Sequence, residues 1–156
     1  MFYDVTKFKW THILEDNWSI IRNEYNTLSE KSIIWPEQIH NGKWYVIGFL
    51  FQNKEILPKH LAPVTSEICS NIPNISTYGF SIMKPGCEII PHVGYTSDVL
   101  RCHLCLYTND NCGLKVDGAI TNYVEGKVTI FDDTKVHSAW NRGSNDRVVL
   151  LLDFKR

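Results

Sequence analysis

Residues 125–137 of this 156-residue chain read EGKVTIFDDTKVH. A run of strand-forming residues, 128–131, follows a Glu-Gly turn and ends at two adjacent aspartates, shortly before His137. A buried strand that ends in polar residues is a plausible way to place a histidine at the mouth of a β-barrel. The segment therefore predicts a β-rich fold with a candidate ligand residue close to the end of one strand.

Short apolar runs separated by turn residues extend on both sides of this segment, from residue 75 to the C-terminus. Candidate strands lie at 76–83, 87–92, 99–108, 113–117, 120–124, 127–131, 136–141 and 146–154. Many short strands at this spacing favour a barrel or a two-sheet roll. We therefore expect a mainly β fold.

The first third of the chain is expected to be helical and to pack outside the β structure. We expect one helix through residues 18–25, capped by Asp16, and a second helix that begins at Pro58 and ends before Pro73. Between the two helices, residues 43–51 have the aromatic and β-branched content of a strand.

Composition and charge exclude several classes of partner. Sixteen basic and seventeen acidic residues give a net charge of -1, so no general attraction to nucleic acid or anionic lipid is expected. The chain has no secretory signal pattern, no long apolar run and no continuous amphipathic segment to meet a membrane. We expect a cytoplasmic protein without stable membrane insertion.

The five cysteines are odd in number and lack the two-pair spacing of a zinc site, which favours reduced thiols. Cys102 and Cys105 form the one close pair, within the predicted strand 99–108. Extended geometry puts these two side chains on opposite faces of the strand. Buried small side chains are therefore favoured over a redox or zinc pair.

Two histidines are candidate metal ligands. His92 and Gly94 point to the same face of an extended chain, so a carboxylate at position 94 would have completed a His-x-Asp…His triad with His137. Glycine supplies no ligand, which leaves two imidazoles. Spacing alone does not distinguish either histidine from an ordinary core or surface residue.

Basic residues on neighbouring strands support an anion site beside these histidines. Arg101 and His103 alternate on one face of their strand, and Arg147 opens an apolar run, 148–152, whose length suggests burial on both faces. The planar guanidinium of Arg147, with the hydroxyl of Ser81, suits a carboxylate of a diacid such as 2-oxoglutarate. The alternative pairs Arg147 with Asp132, Asp133 or Asp146.

These residues together resemble the aspartyl/asparaginyl β-hydroxylase family. The resemblance runs from about residue 44 to residue 154, and His137 and Arg147 keep the family's ten-residue separation. The other matching stretches are 80–86 (FSIMKPG), 91–94 (PHVG), 101–104 (RCHL) and 125–133 (EGKVTIFDD).

The resemblance implies a double-stranded β-helix, a jelly roll of the cupin type, with the N-terminal helices packed outside. It implies a single oxygenase domain, 1–156, in which 1–74 support a catalytic β core, 75–156. It also implies an enzyme, a dioxygenase that uses Fe(II), 2-oxoglutarate and O2. His92 and His137 would hold the iron, with water in the coordination position that Gly94 leaves.

The remaining roles follow from the same resemblance. Ser81 and Arg147 would bind the distal carboxylate of 2-oxoglutarate, and His103 would lie beside the proximal carboxylate. Arg101 would face the substrate. The animal enzymes have Arg-x-Arg at this strand, and this chain keeps only the second arginine, which makes peptidyl aspartate less secure as the substrate.

The substrate is expected to be a small molecule or a peptide. The best interpretation is hydroxylation at the β-carbon of an Asp- or Asn-like residue or of a small amino acid. A lipid A-type acyl hydroxylase is an alternative, which the turn at 115–118 and the ending at 153–156 favour slightly. An iron halogenase, opened by Gly94, and a non-catalytic barrel that binds an acidic ligand are further alternatives. The oligomeric state is left open.

Overall fold

The computed structural model describes residues 2–96 and 98–156, which form two antiparallel β-sheets and three α-helices. The helices are α1 (Thr11–Asp16), α2 (Trp18–Asn26) and α3 (Pro63–Ser70). The strands are β1 (Ile33–Ile34), β2 (Trp44–Phe51), β3 (Lys54–Glu55), β4 (Ile75–Met83), β5 (Glu88–His92), β6 (Val99–Tyr107), β7 (Cys112–Val116), β8 (Ala119–Thr121), β9 (Val128–Phe131), β10 (His137–Asn141) and β11 (Arg147–Lys155).

The larger sheet has the strand order β1-β2-β4-β11-β6-β9, with the short β3 paired to β2. The smaller sheet has the order β5-β10-β7-β8. Strands that neighbour each other in space are mostly distant in sequence, which is the connectivity of a roll rather than of a meander. The mainly β, two-sheet architecture predicted from the sequence is confirmed.

The larger sheet is buried on both faces. This burial explains why the sequence of β11 is continuously apolar. Val148, Leu150 and Leu152 belong to the core under the N-terminal helices, whereas Val149 and Leu151 belong to the core between the two sheets. Successive strand residues point to opposite faces, so both faces require apolar side chains.

The same alternation separates the two cysteines of β6. Cys102 lies in the core under the helices and Cys105 in the core between the sheets, as predicted. All five cysteines are buried free thiols. Burial raises the pKa of the Cys105 thiol to about 12, which makes it an unreactive core side chain.

The predicted cap of the first helix is wrong. Asp16 is the last residue of the short α1, and Asn17 precedes α2 without a side-chain capping hydrogen bond. The backbone N–H of Ile21 instead bonds the carbonyl of Asn17, so α2 starts almost directly from the end of α1. No separate sequence signal predicted a helix as short as α1.

The predicted start of the second long helix is also wrong. Residues Lys59–Leu61 form a 3-10 turn, Ala62 is not helical, and α3 begins at Pro63. A proline fits the first helical position because no intrahelical partner exists there for an N–H. The carboxylate of Glu24 in α2 caps α3 from outside, accepting the N–H groups of residues 64 and 65. No helix in the described ranges has the length and apolar character needed to span a membrane.

Candidate active site

The two candidate metal ligands are brought together by strand pairing. His92 ends β5, His137 begins β10, and the two residues are direct partners in the antiparallel ladder. Their ring centroids lie 4.2 Å apart at an interplanar angle of 56°. A register irregularity between His137 and Ala139 accompanies this placement. The structure therefore juxtaposes the two imidazoles that the sequence singled out.

Both imidazoles are in the form that binds metals. Nδ1 of His92 lies 2.8 Å from the carbonyl oxygen of Ile90, and Nδ1 of His137 lies 2.8 Å from that of Lys135. Since a carbonyl only accepts, each Nδ1 carries the hydrogen and each Nε2 keeps a lone pair. Burial lowers the pKa of both histidines, that of His137 to about 4, so both rings are neutral at pH 7.

The side-chain carboxylate of Asp133, which follows the end of β9, occupies the space beside Gly94. A Cβ atom at Gly94 would lie 2.1 Å from Oδ2 of Asp133, and the Gly94 N–H donates to the Asp133 backbone carbonyl. No side chain, and hence no triad carboxylate, fits at position 94 unless Asp133 moves. The described residues contain no group of three or more His, Cys, Asp or Glu that could hold a metal, so the histidine pair stands alone.

Asp133 is the most unusual ionisable group near the site. It is fully buried, and within the described chain its carboxylate oxygens make no hydrogen bond. Its nearest cation is Arg101, with Nη2 at 3.8 Å from Oδ2. Burial raises the pKa of Asp133 to about 6, more than this arginine lowers it. Sequence reasoning considered Asp133 only as a partner for Arg147 and missed this position; its signal was the pair of aspartates that ends β9.

Arg147 has the properties of an anion-binding residue. It is buried, and its Nη2 donates to Oγ of Ser81 at 2.9 Å and to the Ser81 carbonyl at 3.3 Å. Its Nε is buried without a hydrogen-bond partner among the described residues. Asp146 pairs with Lys84 instead, and no salt bridge joins Arg147 to any aspartate that was considered. A buried guanidinium with an unused donor fits a carboxylate ligand.

Ser81 is prepared to donate to the same ligand. Its Oγ accepts from Nε1 of Trp44 at 2.8 Å as well as from Arg147. A hydroxyl has two lone pairs, and these two bonds use both, so its own proton is available to an acceptor. Trp44 comes from β2, within the region 1–74, and was not identified from the sequence.

Tyr123 links Arg147 to His103. The Tyr123 hydroxyl accepts from Nη1 of Arg147 at 3.4 Å and lies 2.9 Å from Nδ1 of His103. This hydroxyl therefore joins the guanidinium of Arg147 to the imidazole of His103 through two hydrogen bonds. Burial, followed by repulsion from Arg147 and Arg101, holds the pKa of His103 well below its usual value. His103 is therefore a neutral imidazole. No sequence signal pointed to Tyr123.

The charge of Arg101 is already paired. Its Nε and Nη2 donate to the two carboxylate oxygens of Asp153 at 2.8 and 2.9 Å, and the Tyr95 hydroxyl donates to the same carboxylate. Burial opposes the charge of Arg101, but attraction to Asp153 outweighs it and raises the pKa. The substrate-facing role assigned to Arg101 stays a prediction, now with Asp153 as a competing partner.

One cavity between the sheets joins the predicted residues. Its walls include Ser81, His92, Arg101, His103, His137 and Arg147. The cavity is narrow, about 30 Å³, so a five-carbon diacid enters only if lining side chains move apart. The two neutral imidazoles fit a divalent metal, and the unused Nε of Arg147 fits a carboxylate beside it.

Comparison with solved structures identifies the fold. The structure is similar to a 2OG-Fe(II) oxygenase family oxidoreductase from Burkholderia pseudomallei, with a TM-score of 0.65 and 13% identity, covering 86% of this chain and 77% of that one. It is also similar to a Pseudomonas putida prolyl-4-hydroxylase, with a TM-score of 0.59 and 15% identity, covering 89% and 87%. The fold is the double-stranded β-helix, as predicted.

Sequence comparison identifies the family. The family described as aspartyl/asparaginyl beta-hydroxylase matches residues 15–156. An "ornithine lipid ester-linked acyl 2-hydroxylase" of Rhizobium tropici is 31% identical over 168 residues, covering 97% of this chain and 59% of that protein. The human "aspartyl/asparaginyl beta-hydroxylase" is 31% identical over 153 residues, covering 90% of this chain and 20% of that protein.

Fold and family together define the class as that of the 2-oxoglutarate- and Fe(II)-dependent oxygenases. Within that class, this chain belongs to the aspartyl/asparaginyl β-hydroxylase family. The resemblance, the fold and the enzyme class predicted from the sequence are thereby confirmed at the level of the family. The chain spans about three-fifths of the bacterial relative and one-fifth of the human relative.

Proposed function

We propose that this chain is an Fe(II)- and 2-oxoglutarate-dependent hydroxylase that acts on carbon 2 of a fatty acyl chain in an acyl lipid. The oxygenase chemistry is supported by one arrangement above all: two neutral imidazoles beside a buried guanidinium that has an unused donor. The acyl substrate is supported by the bacterial relative, which aligns with 97% of this chain and is described as an acyl 2-hydroxylase.

Each residue of the cavity has a distinct role in this proposal. His92 and His137 hold the metal through their Nε2 atoms. Arg147 and the Ser81 hydroxyl bind the distal carboxylate of 2-oxoglutarate, and the neutral imidazole of His103 lies beside the proximal carboxylate. Iron and cosubstrate would supply the oxidation: O2 is consumed, 2-oxoglutarate becomes succinate and CO2, and one oxygen atom enters a C–H bond.

The pairing of Arg101 favours an uncharged substrate end over a carboxylate. An aspartyl substrate needs a cation for its side chain, and the arginines of this cavity are Arg101 and Arg147. Arg147 is assigned to the cosubstrate, and Arg101 is bound in bidentate fashion to Asp153. The β-carbon of an Asp- or Asn-like residue, the best interpretation from sequence alone, thus becomes the second candidate.

Sequence similarity supports the second candidate, hydroxylation of an Asp- or Asn-like residue. The human and mouse proteins described as aspartyl/asparaginyl beta-hydroxylase are 31% and 29% identical to this chain over 90% of its length. In this case Arg101 would exchange Asp153 for the carboxylate of a peptide substrate.

Halogenation is disfavoured by the group beside Gly94. Chloride would have to bind where a triad carboxylate is missing, and the buried carboxyl of Asp133 already fills the adjacent space. A largely ionised carboxylate repels an anion there.

Product mass distinguishes these candidates. The protein is incubated with Fe(II), 2-oxoglutarate, O2 and chloride, in parallel with an ester-linked acyl lipid and an aspartyl peptide, with His137→Ala as the inactive control. We expect succinate and a lipid heavier by one oxygen atom. Oxygen added only to the peptide would support the second candidate, a chlorinated product would support the halogenase, and absence of succinate with every substrate would support the non-catalytic binder.

A further inference from the structure

An apolar trough lies against the larger sheet, next to the candidate iron cavity. Its free volume is about 450 Å³, within the range of small-molecule sites. Its lining includes Ile33, Trp35, Val46, Gly48, Ile56 and Leu151. These residues come from three separate segments and from β11, so no single stretch of sequence marks the trough.

The trough leaves hydrocarbon side chains in contact with water. Ile33 is 64% exposed, Ile56 56% and Phe51 40%. The one carboxylate in the lining, that of Glu37, accepts from Nε1 of Trp35 at 3.1 Å, and no lysine or arginine lines the trough within the described residues. A contiguous apolar surface of this kind marks a binding site, and its chemistry suits hydrocarbon rather than a charged ligand.

The trough adjoins the iron cavity. Leu151 lines both spaces. Trp35 of the trough stacks on Trp44 of the cavity, with centroids 4.0 Å apart and planes at 6°. Val46 in β2 pairs with Ser81 in β4, the residue that Trp44 bonds. The trough and the cavity are therefore neighbours, and a ligand that extends from the trough past Leu151 would reach the groups proposed to hold iron and cosubstrate.

Two glycines deepen the trough. Gly48 in β2 lies directly opposite Gly79 in β4, so the floor lacks two side chains. A Cβ atom at Gly48 would come within 4 Å of one atom only, Cδ1 of Ile56 at 3.2 Å, which is the end of a flexible side chain. A larger residue at position 48 therefore projects into the trough. At about 3.3 Å per residue, the stretch from Val46 to Leu50 gives a floor of roughly 13 Å.

We propose that this trough binds the hydrocarbon tail of the acyl chain whose carbon 2 is presented to the cavity. The inference rests on the proposed function and specifies how the substrate is recognised. The trough supplies apolar area instead of the cation that a peptide carboxylate would require. Because each buried methylene contributes about 0.8 kcal/mol, or about fourfold, the trough makes the enzyme selective for chain length.

Binding without iron is the first test. A dibrominated long-chain fatty acid quenches nearby tryptophan fluorescence, so it should quench Trp35 and Trp44 in the metal-free protein in a saturable manner. Ile33→Glu and Gly48→Leu should each weaken binding about tenfold. Ile120→Glu is the matched control, because Ile120 is 63% exposed in the smaller sheet and should bind the probe as the wild type does. Circular dichroism checks that each variant is folded.

Chain-length dependence is the second test. With a series of acyl lipids, kcat/KM of the wild type and of Ile120→Glu should fall about fourfold for each methylene removed, whereas Gly48→Leu should lose this dependence for the longest chains. If Gly48→Leu hydroxylates acyl lipids with the chain-length dependence of the wild type, or if both trough variants bind the probe as the wild type does, the trough assignment is overturned. The proposed function is not affected by either result.

Two other results would also overturn it. If the wild type hydroxylates no acyl lipid, the proposed function fails and this inference fails with it. If Ile33→Glu dissociates a dimer while probe binding is unchanged, the trough is an interface with a second copy of the chain.

Discussion

Replacing Arg147 by methionine removes the proposed cosubstrate anchor while keeping an unbranched side chain of similar length. Arg147 is 2% exposed, donates to Ser81 and Tyr123, and keeps a buried unused Nε. In the variant, the distal carboxylate of 2-oxoglutarate would be buried without its charged partner. Truncation of one side of a buried, hydrogen-bonded charge pair costs about 2–5 kcal/mol. The dissociation constant for 2-oxoglutarate should therefore rise by a factor of roughly 30 to 5,000.

Anaerobic calorimetry with Fe(II)-loaded protein measures this change. Iron affinity should be unchanged, because the two histidines keep their carbonyl contacts. Arg142→Met is the matched control, since Arg142 forms an exposed ion pair with Glu88 and its side chain is 60% exposed. Equal 2-oxoglutarate affinity in the wild type and in Arg147→Met would refute the assignment of Arg147 to the cosubstrate.

Three further substitutions test the surroundings of the cavity. Burial raises the pKa of Asp133 from 3.8 to about 6, so this group stabilises the fold below pH 4 and loses that contribution as pH rises through 6. In urea titrations, Asp133→Asn should therefore be more stable than the wild type by about 3 kcal/mol at pH 8 and no more stable at pH 3.5. Gly94→Ala should lose about 1–3 kcal/mol of unfolding free energy, because its Cβ would overlap the Asp133 carboxylate, and Gly94→Ala/Asp133→Ala should recover it. Tyr123→Phe should raise the 2-oxoglutarate dissociation constant about tenfold at unchanged iron affinity, because Arg147 and His103 lose their shared hydroxyl.

Each of these expectations has a contrary outcome. Asp133→Asn with the pH dependence of the wild type would mean that the carboxyl titrates normally. A double variant no more stable than Gly94→Ala would place the overlap elsewhere. A loss of iron affinity in Tyr123→Phe would assign Tyr123 to the metal site.

The mainly β architecture was predictable because short apolar runs are separated by turn residues from residue 75 onward, whereas the double-stranded β-helix was implied by the family resemblance. The face of β11 under the helices and the face between the sheets both need apolar residues, and 148–152 is apolar throughout. Short elements were not predictable: α1 has six residues, and β1 and β3 have two each. Their stability comes from packing and pairing with distant segments, which local propensity does not encode.

His92, His137 and Arg147 were predicted as site residues from the family resemblance, because spacing alone did not distinguish the histidines from ordinary core or surface residues; the structure brings all three to one cavity. Asp133, Tyr123 and Trp44 were missed because their roles come from contacts across the two sheets. Trp44 meets Ser81 through the pairing of β2 with β4, 37 positions apart in sequence. The apolar trough was invisible for the same reason, since its residues are scattered in sequence and only the fold unites them.

Iron binding by the two facing histidines is the central claim, and an anaerobic Fe(II) titration followed by addition of 2-oxoglutarate tests it most directly. The wild type should bind one Fe(II) per chain and develop a visible charge-transfer band with 2-oxoglutarate. His92→Ala and His137→Ala should bind Fe(II) more weakly, and His92→Ala/His137→Ala should show neither binding nor band. Wild-type iron affinity in that double variant would contradict the account.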